Sequence, residues 1–181
     1  MIRTLSSISL LLVALLGSTA AWAGLKAPEF PLGPAERWLN SPPLSLEALR
    51  GKPVLLEFWT FGCMSCRRSI PWVQSLEKAQ AGKLQIIGIH TPEFPHEASR
   101  EAVAAKLKAF EIRHPTYLDN DFQYWNAMGN RYWPAFYLLD GEGRIQGAWA
   151  GEVSEGSPRA LEIEKRILQL HGDMADPGLL D

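Results

Sequence analysis

The sequence predicts an α/β domain in which helices cover both faces of a mixed sheet. Apolar runs with the length of buried strands alternate with segments of helical spacing from residue 53 onward. The last two strand-like runs flank residues 140–143 (DGEG), a turn that predicts an antiparallel hairpin. The 181 residues, 46% hydrophobic and 21% charged, suit one soluble domain after a targeting segment.

The first 23 residues have the pattern of a secretory signal peptide. Arg3 precedes an apolar stretch, and the small residues Ala21 and Ala23 suit cleavage before Gly24. The apolar stretch is shorter than the ~20 residues that span a bilayer, although an uncleaved anchor stays open as an alternative. We therefore expect an exported, periplasmic protein whose cysteines meet an oxidising environment.

The mature chain divides into three predicted parts. Residues 24–43 contain five prolines and predict a largely irregular segment, with Trp38 and Leu39 attached to the body of the protein. Residues 44–171 form the domain, and residues 172–181 are expected to fray. Within the domain, a helical turn is expected at 46–50, strands at 53–60, 84–90, 116–118, 135–139 and 145–150, and helices at 63–81, 97–110, 122–127 and 157–170.

Charge and cysteine content exclude several functional classes. The chain has 18 Lys and Arg against 20 Asp and Glu and no basic stripe, so we expect no nucleic-acid partner. Two cysteines exclude a disulfide-rich scaffold, a four-cysteine zinc site and an iron–sulfur cluster from one chain. Arg67 stands where a c-type haem site needs histidine, and the four histidines lack zinc-ligand spacing. We expect a monomer without cofactor or metal.

The two cysteines, Cys63 and Cys66, follow the strand at 53–60 and stand at the predicted start of a helix. Unpaired backbone N–H groups and the helix dipole favour a thiolate there. A second thiol one helical turn later can close a disulfide with the first. We therefore assign Cys63 as the nucleophile and Cys66 as the more buried resolving thiol. A structural disulfide would close only four residues and stabilise little, which makes it the weaker interpretation.

Two further residues are candidates near this pair. Glu57 lies within an apolar strand, where burial would raise the pKa of its carboxyl and make it a proton acceptor. The alternative is an ordinary edge carboxylate turned toward solvent. Pro134 follows Trp133 and precedes a strand; from the sequence alone a trans bond is the default, although the cis form of an X–Pro bond costs only about 0.5–1 kcal/mol.

Aromatic residues are expected to form an apolar collar around the sulfurs. Candidates for contact with a partner are Trp59, Phe61 and Trp133, although Trp59 could equally belong to the core. Trp72 and Tyr132 are further members of this predicted collar. Phe58 is expected in the core.

Two other segments could border the dithiol. Arg67 and Arg68, in the first helical turn, could stabilise a thiolate but suit a solvated helix face better. Residues 90–94 (HTPEF) end a strand at the edge that carries sites in open α/β sheets. They either line the rim of the site or form an ordinary strand-ending turn.

The sequence resembles the thioredoxin superfamily over about residues 38–153. Glu57 and the aromatic residues after it stand where that superfamily has a buried acid before its dithiol, and Pro71 matches its helix-kinking proline. The stretches that most resemble secreted redoxin domains of the DipZ type, related to TlpA-like proteins, are WTFGCMSCRRSIP, IGIHTPEF, LDNDFQYWNAMGNRYWPAFYLLDGEGRI and AGE. Those domains are often fused to a membrane electron transporter; this chain carries no transporter helices and resembles a stand-alone version.

The resemblance implies a thioredoxin-like fold with a central helical insertion at residues 93–116. It also implies a cis bond before Pro134 that faces the dithiol and exposes the Trp133 backbone to an extended substrate. Glu57 would assist deprotonation of Cys66 through water. The chain lacks both the Gly-Pro dipeptide of thioredoxin and the Pro-His dipeptide of strong oxidants, so its motif leaves the direction of electron flow open.

The leading hypothesis is an exported thiol:disulfide oxidoreductase that acts on protein thiols and disulfides. We expect a reductant, because the most similar domains receive electrons from a membrane transporter. A module that binds an extended peptide or Cu(I) independently of redox chemistry is the alternative, and its activity would survive Cys63→Ser. A thiol peroxidase ranks last, because Thr60 and Arg67 only faintly resemble the Thr and Arg that such a site needs.

Overall fold

The computed structural model describes residues 24–175. The predicted signal peptide, residues 1–23, lies outside the described residues. Strands and helices follow one another in the order β1 (Trp38–Leu39), β2 (Val54–Trp59), α1 (Met64–Ala79), β3 (Gln85–His90), α2 (Arg100–Ala109), β4 (Thr116–Leu118), α3 (Gln123–Ala127), β5 (Ala135–Leu139), β6 (Ile145–Ala150) and α4 (Pro158–Ala175). Among these residues, no helix combines the length and apolar character that a membrane crossing needs.

The strands form one six-stranded sheet in the order β1-β4-β3-β2-β5-β6. Strands β2, β3 and β4 run parallel, whereas β1, β5 and β6 each run antiparallel to a neighbour. The predicted α/β class with a mixed sheet is confirmed, and β5 and β6 begin and end at the predicted residues. Strand β2 lies in the middle, between β3 and β5.

The sheet has two faces of different character. On the face that we call the helical face, Leu55 and Trp59 of β2 pack against buried side chains of α1, α2 and α4. On the opposite face, which we call the aromatic face, Phe58 and its alternate neighbours pack against the N-terminal segment and α3. Successive side chains of a strand point to opposite faces, so Glu57 belongs to the helical face with Leu55 and Trp59.

The N-terminal segment is more ordered than the sequence predicts. Trp38 and Leu39 form the edge strand β1, which pairs with β4, so the sheet begins before residue 44. Both side chains are buried, and Trp38 packs edge-on against Phe30 with ring centroids 5.1 Å apart. This agrees with the expected attachment of Trp38 and Leu39 to the body of the protein. A two-residue strand is too short to show a periodic pattern, so the sequence did not predict its pairing with β4.

Three other boundaries differ from the predictions. Residues 46–50 form turns rather than a helical turn, and the Glu29 carboxylate accepts hydrogen bonds from the backbone N–H groups of Leu46 (2.7 Å) and Glu47 (3.1 Å). Helix α2 begins at Arg100 instead of residue 97, because Ser99 caps it through a bond from the Ala102 N–H. Helix α4 continues to Ala175, into the segment 172–181 that was expected to fray.

Candidate active site

The Cys63–Cys66 pair lies where β2 passes through a short turn into α1. The two cysteines form a disulfide, with Cα atoms 5.3 Å apart. Cys63 is the N-cap of α1, and its Sγ accepts a hydrogen bond from the Cys66 N–H at 3.1 Å. An N–H donor and the positive end of a 16-residue helix stabilise negative charge on this sulfur once the disulfide is reduced.

The two sulfurs differ in their access to solvent. Cys63 is half-buried, whereas Cys66 is completely buried among Trp59, Ile70 and other apolar side chains. A partner can therefore reach the upstream sulfur but not the downstream one. This is the asymmetry that the sequence predicts for an attacking and a resolving thiol.

The peptide bond between Trp133 and Pro134 is cis, as the resemblance implies. Pro134 immediately precedes β5, and the first residue of that strand, Ala135, pairs with Phe58 near the end of β2. Trp133 packs against the apolar cluster that contains both cysteines. Its indole N–H donates to the Thr91 carbonyl at 3.0 Å, which fixes the loop before Pro134 to the end of β3.

Glu57 is buried in the central strand of the sheet, only 3% exposed. Its backbone register places it between Gly88 of β3 and Phe136 of β5. Burial raises the pKa of its carboxyl to about 7, and the His114 ring partly opposes that rise. The alternative of a solvent-facing edge carboxylate is therefore wrong, and near neutral pH the group can exchange a proton.

The aromatic collar is smaller than predicted. Trp59 is 1% exposed, so it packs beneath the cysteines and cannot touch a partner directly, which corrects its assignment as a substrate contact. Phe61 and Trp133 are half-buried against the same cluster and keep surface for contact. Trp72 belongs to a separate cluster, where its indole N–H donates to Glu164 of α4 at 2.9 Å. Tyr132 is 61% exposed.

Two exposed apolar side chains border this region. Met64 follows Cys63 directly, and Phe94 lies beside His96 with ring centroids 5.9 Å apart. The sequence analysis did not single out Met64 as a surface residue. Exposed apolar groups around a reactive sulfur suit contact with an apolar stretch of another chain.

The two arginines of the first turn of α1 lie on a solvated helix face. Arg68 forms an ion pair with Glu152, at 2.6 Å between Nε and Oε2. Arg67 is exposed, and its guanidinium lies over the Phe110 ring at 5.4 Å. Both cations therefore have partners other than the dithiol, which agrees with the interpretation of a solvated helix face.

Glu97 holds the turn before Cys63 and was missed by the sequence analysis. Its Oε2 accepts hydrogen bonds from the N–H groups of Glu93 (2.7 Å) and Phe94 (3.0 Å). Its Oε1 lies so close to Gly62 that a side chain at position 62 would collide with it. The segment after β3 is thus fitted against the dithiol turn, and residue 97, expected to open a helix, instead supports the site.

His90 is a second buried group beside this turn. Its Nε2 lies 3.4 Å from Thr60 Oγ1, and its ring stacks on Phe61 with centroids 5.6 Å apart. Burial lowers the pKa of His90 to about 4, against the opposing effect of Glu97, so the ring is neutral at physiological pH. The sequence marked this residue only as a possible rim position. The structure places it beneath the rim.

The described residues hold no group of three or more His, Cys, Asp and Glu side chains arranged for a metal ion.

His114 is a third buried group near the site, and the sequence marks it only as one of four histidines without zinc-ligand spacing. The structure places it against Glu57, at 3.9 Å between Nε2 and Oε2. No local pattern could reveal that contact, because it depends on how two distant segments pack.

Comparison with known proteins places this site in context. Residues 23–148 match the model of the AhpC/TSA family. Protein DipZ of Mycobacterium tuberculosis is 41% identical over 146 residues, which cover 78% of this chain but 20% of that protein. The thiol-disulfide oxidoreductase YkuV of Bacillus subtilis is 26% identical over 143 residues, 79% of this chain and 93% of the relative.

Solved structures share the fold. A thioredoxin-like superfamily protein, SPOA0173, superposes with a TM-score of 0.71 at 29% identity, over 81% of this chain and 96% of the other. A thiol:disulfide interchange protein DsbE from Chlorobium tepidum, described as putative in its own structure report, superposes with a TM-score of 0.68 at 23% identity. That match covers 82% of this chain and 96% of the other, and at this identity it shows the fold alone.

Proposed function

The chain belongs to the AhpC/TSA family. We propose that it is an exported thiol:disulfide oxidoreductase, and that its Cys63–Cys66 dithiol reduces the disulfides of partner proteins. The observation that carries the proposal is the unequal burial of the two sulfurs at the start of α1. An accessible sulfur stabilised as a thiolate attacks, and a buried one resolves.

The reaction balances within the dithiol and its partner. The Cys63 thiolate attacks one sulfur of a partner disulfide, and the other partner sulfur leaves as a thiolate. Cys66 then gives its proton to Glu57 through water, and its thiolate attacks Cys63. The Cys63–Cys66 bond forms, the bond to the partner breaks, and the partner departs with two electrons gained. Its two thiolates take up two protons from solvent, which balance the proton that Cys63 lost on ionising and the one that Cys66 gave up.

The surroundings of the dithiol support a protein partner. Phe61 and Trp133 offer partly exposed aromatic surface beside Cys63. Trp133 lies directly before Pro134 and β5, and the resemblance to the thioredoxin superfamily supports pairing of its backbone with an extended partner segment. We assign Glu57 the role of proton acceptor and Pro134 the role of shaping this contact.

A titration against glutathione buffers tests the redox assignment. Strong oxidants of this fold have potentials of about −120 mV, and thioredoxin has one of about −270 mV. We expect a value more reducing than about −200 mV, whereas a value close to that of the strong oxidants would overturn the reductant role.

Trapping tests the exchange reaction itself. Cys66→Ser should accumulate mixed disulfides with partner proteins, whereas Cys63→Ser should accumulate none and should lose insulin reduction by at least about 10³-fold. Ser65→Ala, between the two cysteines, is the matched control. Like the wild type, it should reduce insulin and accumulate no mixed disulfides. If Cys63→Ser retained full binding of a peptide or Cu(I) partner while the wild type reduced no disulfide, the binding module would replace this proposal.

The peroxidase alternative has little support in the positions of its two candidate residues. Thr60 Oγ1 lies 3.4 Å from His90, and Arg67 lies over Phe110. Each side chain therefore has a partner other than the dithiol. Peroxide should oxidise Cys63 no faster than an ordinary low-pKa thiol.

Export and electron supply complete the proposal. The pattern of residues 1–23 supports cleavage before Gly24 and a protein that works in the periplasm. The similarity to DipZ supports a membrane electron transporter as the donor. N-terminal sequencing of the protein from fractionated cells should give Gly24 as the first residue, and an intact Met1 would favour the uncleaved anchor.

A further inference from the structure

Three ionisable side chains form a row across the helical face of the sheet. His114, in the loop before β4, lies between Glu57 of β2 and Glu77 of α1. Its Nε2 is 3.9 Å from the Glu57 carboxylate, and its Nδ1 is 3.7 Å from that of Glu77. The side chains of His114 and Glu57 are 2% and 4% exposed, whereas that of Glu77 is 37% exposed. The imidazole therefore connects a buried acid to one that reaches solvent.

Other polar atoms converge on the same place. Gly88 pairs with Glu57 in the sheet, and a Cβ atom at Gly88 would lie 2.9 Å from Trp59 Nε1, 3.2 Å from Thr116 Oγ1 and 3.4 Å from His114 Nε2. Within residues 24–175, Trp59 Nε1 and both ring nitrogens of His114 lack a hydrogen-bond partner. Buried polar atoms left in this state are rare in folded proteins and require an explanation.

We propose that His114 and Glu77 form a proton relay between Glu57 and solvent, and that His114 is the positioning residue that keeps Glu57 ready to accept the proton of Cys66. The inference rests on the proposed function, because it concerns the resolving step of that exchange. An imidazole can take a proton on one ring nitrogen and release one from the other. Both gaps exceed hydrogen-bond length, so a single water or a small side-chain rotation must close them.

The proton follows a complete path in this scheme. It leaves the Cys66 thiol for Glu57, passes to His114 Nε2 while Nδ1 releases a proton to Glu77, and reaches solvent. The electron pair left on Cys66 forms the bond to Cys63, and the partner sulfur leaves. No further reactant is needed.

Charge around the row favours this function. His114 opposes the effect of burial at Glu57, and contact with His114 is the main cause of the lowered pKa of Glu77. Arg113, adjacent to His114, also favours the ionised form of Glu77. Glu77, at the surface end of the row, is thus held in the ionised form that accepts a proton. The carboxyl of Glu57, at the buried end, titrates near neutrality.

A direct titration of Glu57 tests the relay without enzyme activity. Carbon NMR of the carboxyl group in the oxidised protein gives the titration midpoint in the wild type, His114→Gln, Glu77→Gln and the control Glu142→Gln. Glu142 is an exposed carboxylate in the β5–β6 turn, at the end of the sheet opposite the dithiol. We expect His114→Gln to raise the midpoint enough to lower the ratio of ionised to neutral Glu57 about tenfold at a given pH, Glu77→Gln to raise it less, and the control to leave it unchanged.

A kinetic measurement separates the relay from a structural role. Reaction of the reduced protein with 5,5′-dithiobis(2-nitrobenzoic acid) releases one coloured thiolate when Cys63 attacks and a second when Cys66 resolves. His114→Gln should leave the first phase unchanged, slow the second about tenfold at neutral pH and move its pH inflection upward. A merely structural histidine would lower the melting temperature and leave that inflection in place.

The outcomes distinguish two failures. If the wild type releases no second thiolate, the proposed function fails. If the wild type shows both phases, and His114→Gln keeps the wild-type inflection and Glu57 midpoint, the relay alone is overturned. Should His114→Gln not fold, Glu77→Gln carries the same test, because its side chain is partly exposed; an unchanged inflection in that variant would equally overturn the relay.

Discussion

The two faces of the sheet differ in how completely the polar atoms buried near the site find hydrogen-bond partners. On the aromatic face, the hydroxyl groups of all three buried tyrosines have partners: Tyr117 accepts from Arg37, Tyr124 donates to the Pro28 carbonyl and Tyr137 donates to Asn130, at 3.0–3.1 Å. On the helical face, polar atoms of Trp59, His90 and His114 have none among the described residues, and one oxygen of Glu97 beside the dithiol turn has none either.

The difference shows where this domain is built for stability and where it is built for chemistry. Satisfied polar groups and close aromatic packing lower the free energy of the folded state. Buried groups without partners raise it, and they persist where a reaction uses their altered proton affinity. The same strand, β2, contributes Phe58 to one face and Glu57 to the other.

Phe58→Ala should have the largest effect on stability. The ring is fully buried and lies within about 6 Å of the rings of Tyr124, Trp125 and Tyr137. Its removal should cost about 3–5 kcal/mol in the free energy of unfolding, measured by urea denaturation. The exchange rate per folded molecule should stay close to wild type. If that rate fell tenfold or more, the two faces could not be treated as separate.

Glu57→Gln should change stability in the opposite direction. The carboxyl has a pKa of about 7 in the folded state against 4.5 as the reference value, so folding favours its neutral form. The loss of stability from ionising this buried carboxyl is absent below pH 4.5, grows between pH 4.5 and 7, and is constant above pH 7. At pH 8 the variant should be more stable than wild type by about 3 kcal/mol. A destabilised variant at that pH would contradict the account.

His90→Phe tests the second titrating group of the helical face. Because the folded-state pKa is about 4 against a reference of 6.5, the neutral ring is favoured, and stability falls as the pH drops below 6.5. Between pH 8 and pH 5 this group should account for a loss of about 2 kcal/mol, which the variant should not show.

Glu57 and His90 oppose each other over the same pH range, so the effect of His90→Phe is best measured in a Glu57→Gln background. Denaturant unfolding at both pH values gives the comparison. An equal acid loss with and without the histidine would show that His90 is not the titrating group.

Arg37→Gln should have the smallest effect, at the rim of the aromatic face. Arg37 forms an ion pair with Asp121 at 2.7 Å and donates to the Tyr117 hydroxyl. Both partners of the ion pair are partly exposed, so the loss should be under about 1 kcal/mol and should shrink in high salt. Arg144→Gln removes a more exposed pair and is the control, with a smaller change expected.

The sequence predicted most of the helices and strands because their signals are local. Apolar runs gave the positions of β2 and β3, and the turn at residues 140–143 gave the hairpin. The edge strand at Trp38 escaped, since two residues carry no period and only the pairing with β4 makes them a strand.

The site was predictable only in part for a related reason. The positions of Cys63 and Cys66 follow from a strand, a turn and a helix that are adjacent in the chain. The contacts of Glu57 with His114, and of Gly62 with Glu97, join segments dozens of residues apart. Spacing along the chain cannot reveal such contacts, because they form only when distant segments pack together in the folded protein.

One feature of the N-terminal segment bears on how the protein is held in its surroundings. The backbone of Gly24 and Leu25 bonds to Ile145, and that of Ala27 bonds to Gly143, beside the β5–β6 turn. Cys63 lies beyond the other end of the sheet, so a strand length of roughly 20 Å separates the two. Any tether joined ahead of Gly24 would thus hold the domain by its base and leave the reactive sulfur pointing outward, free to meet partners.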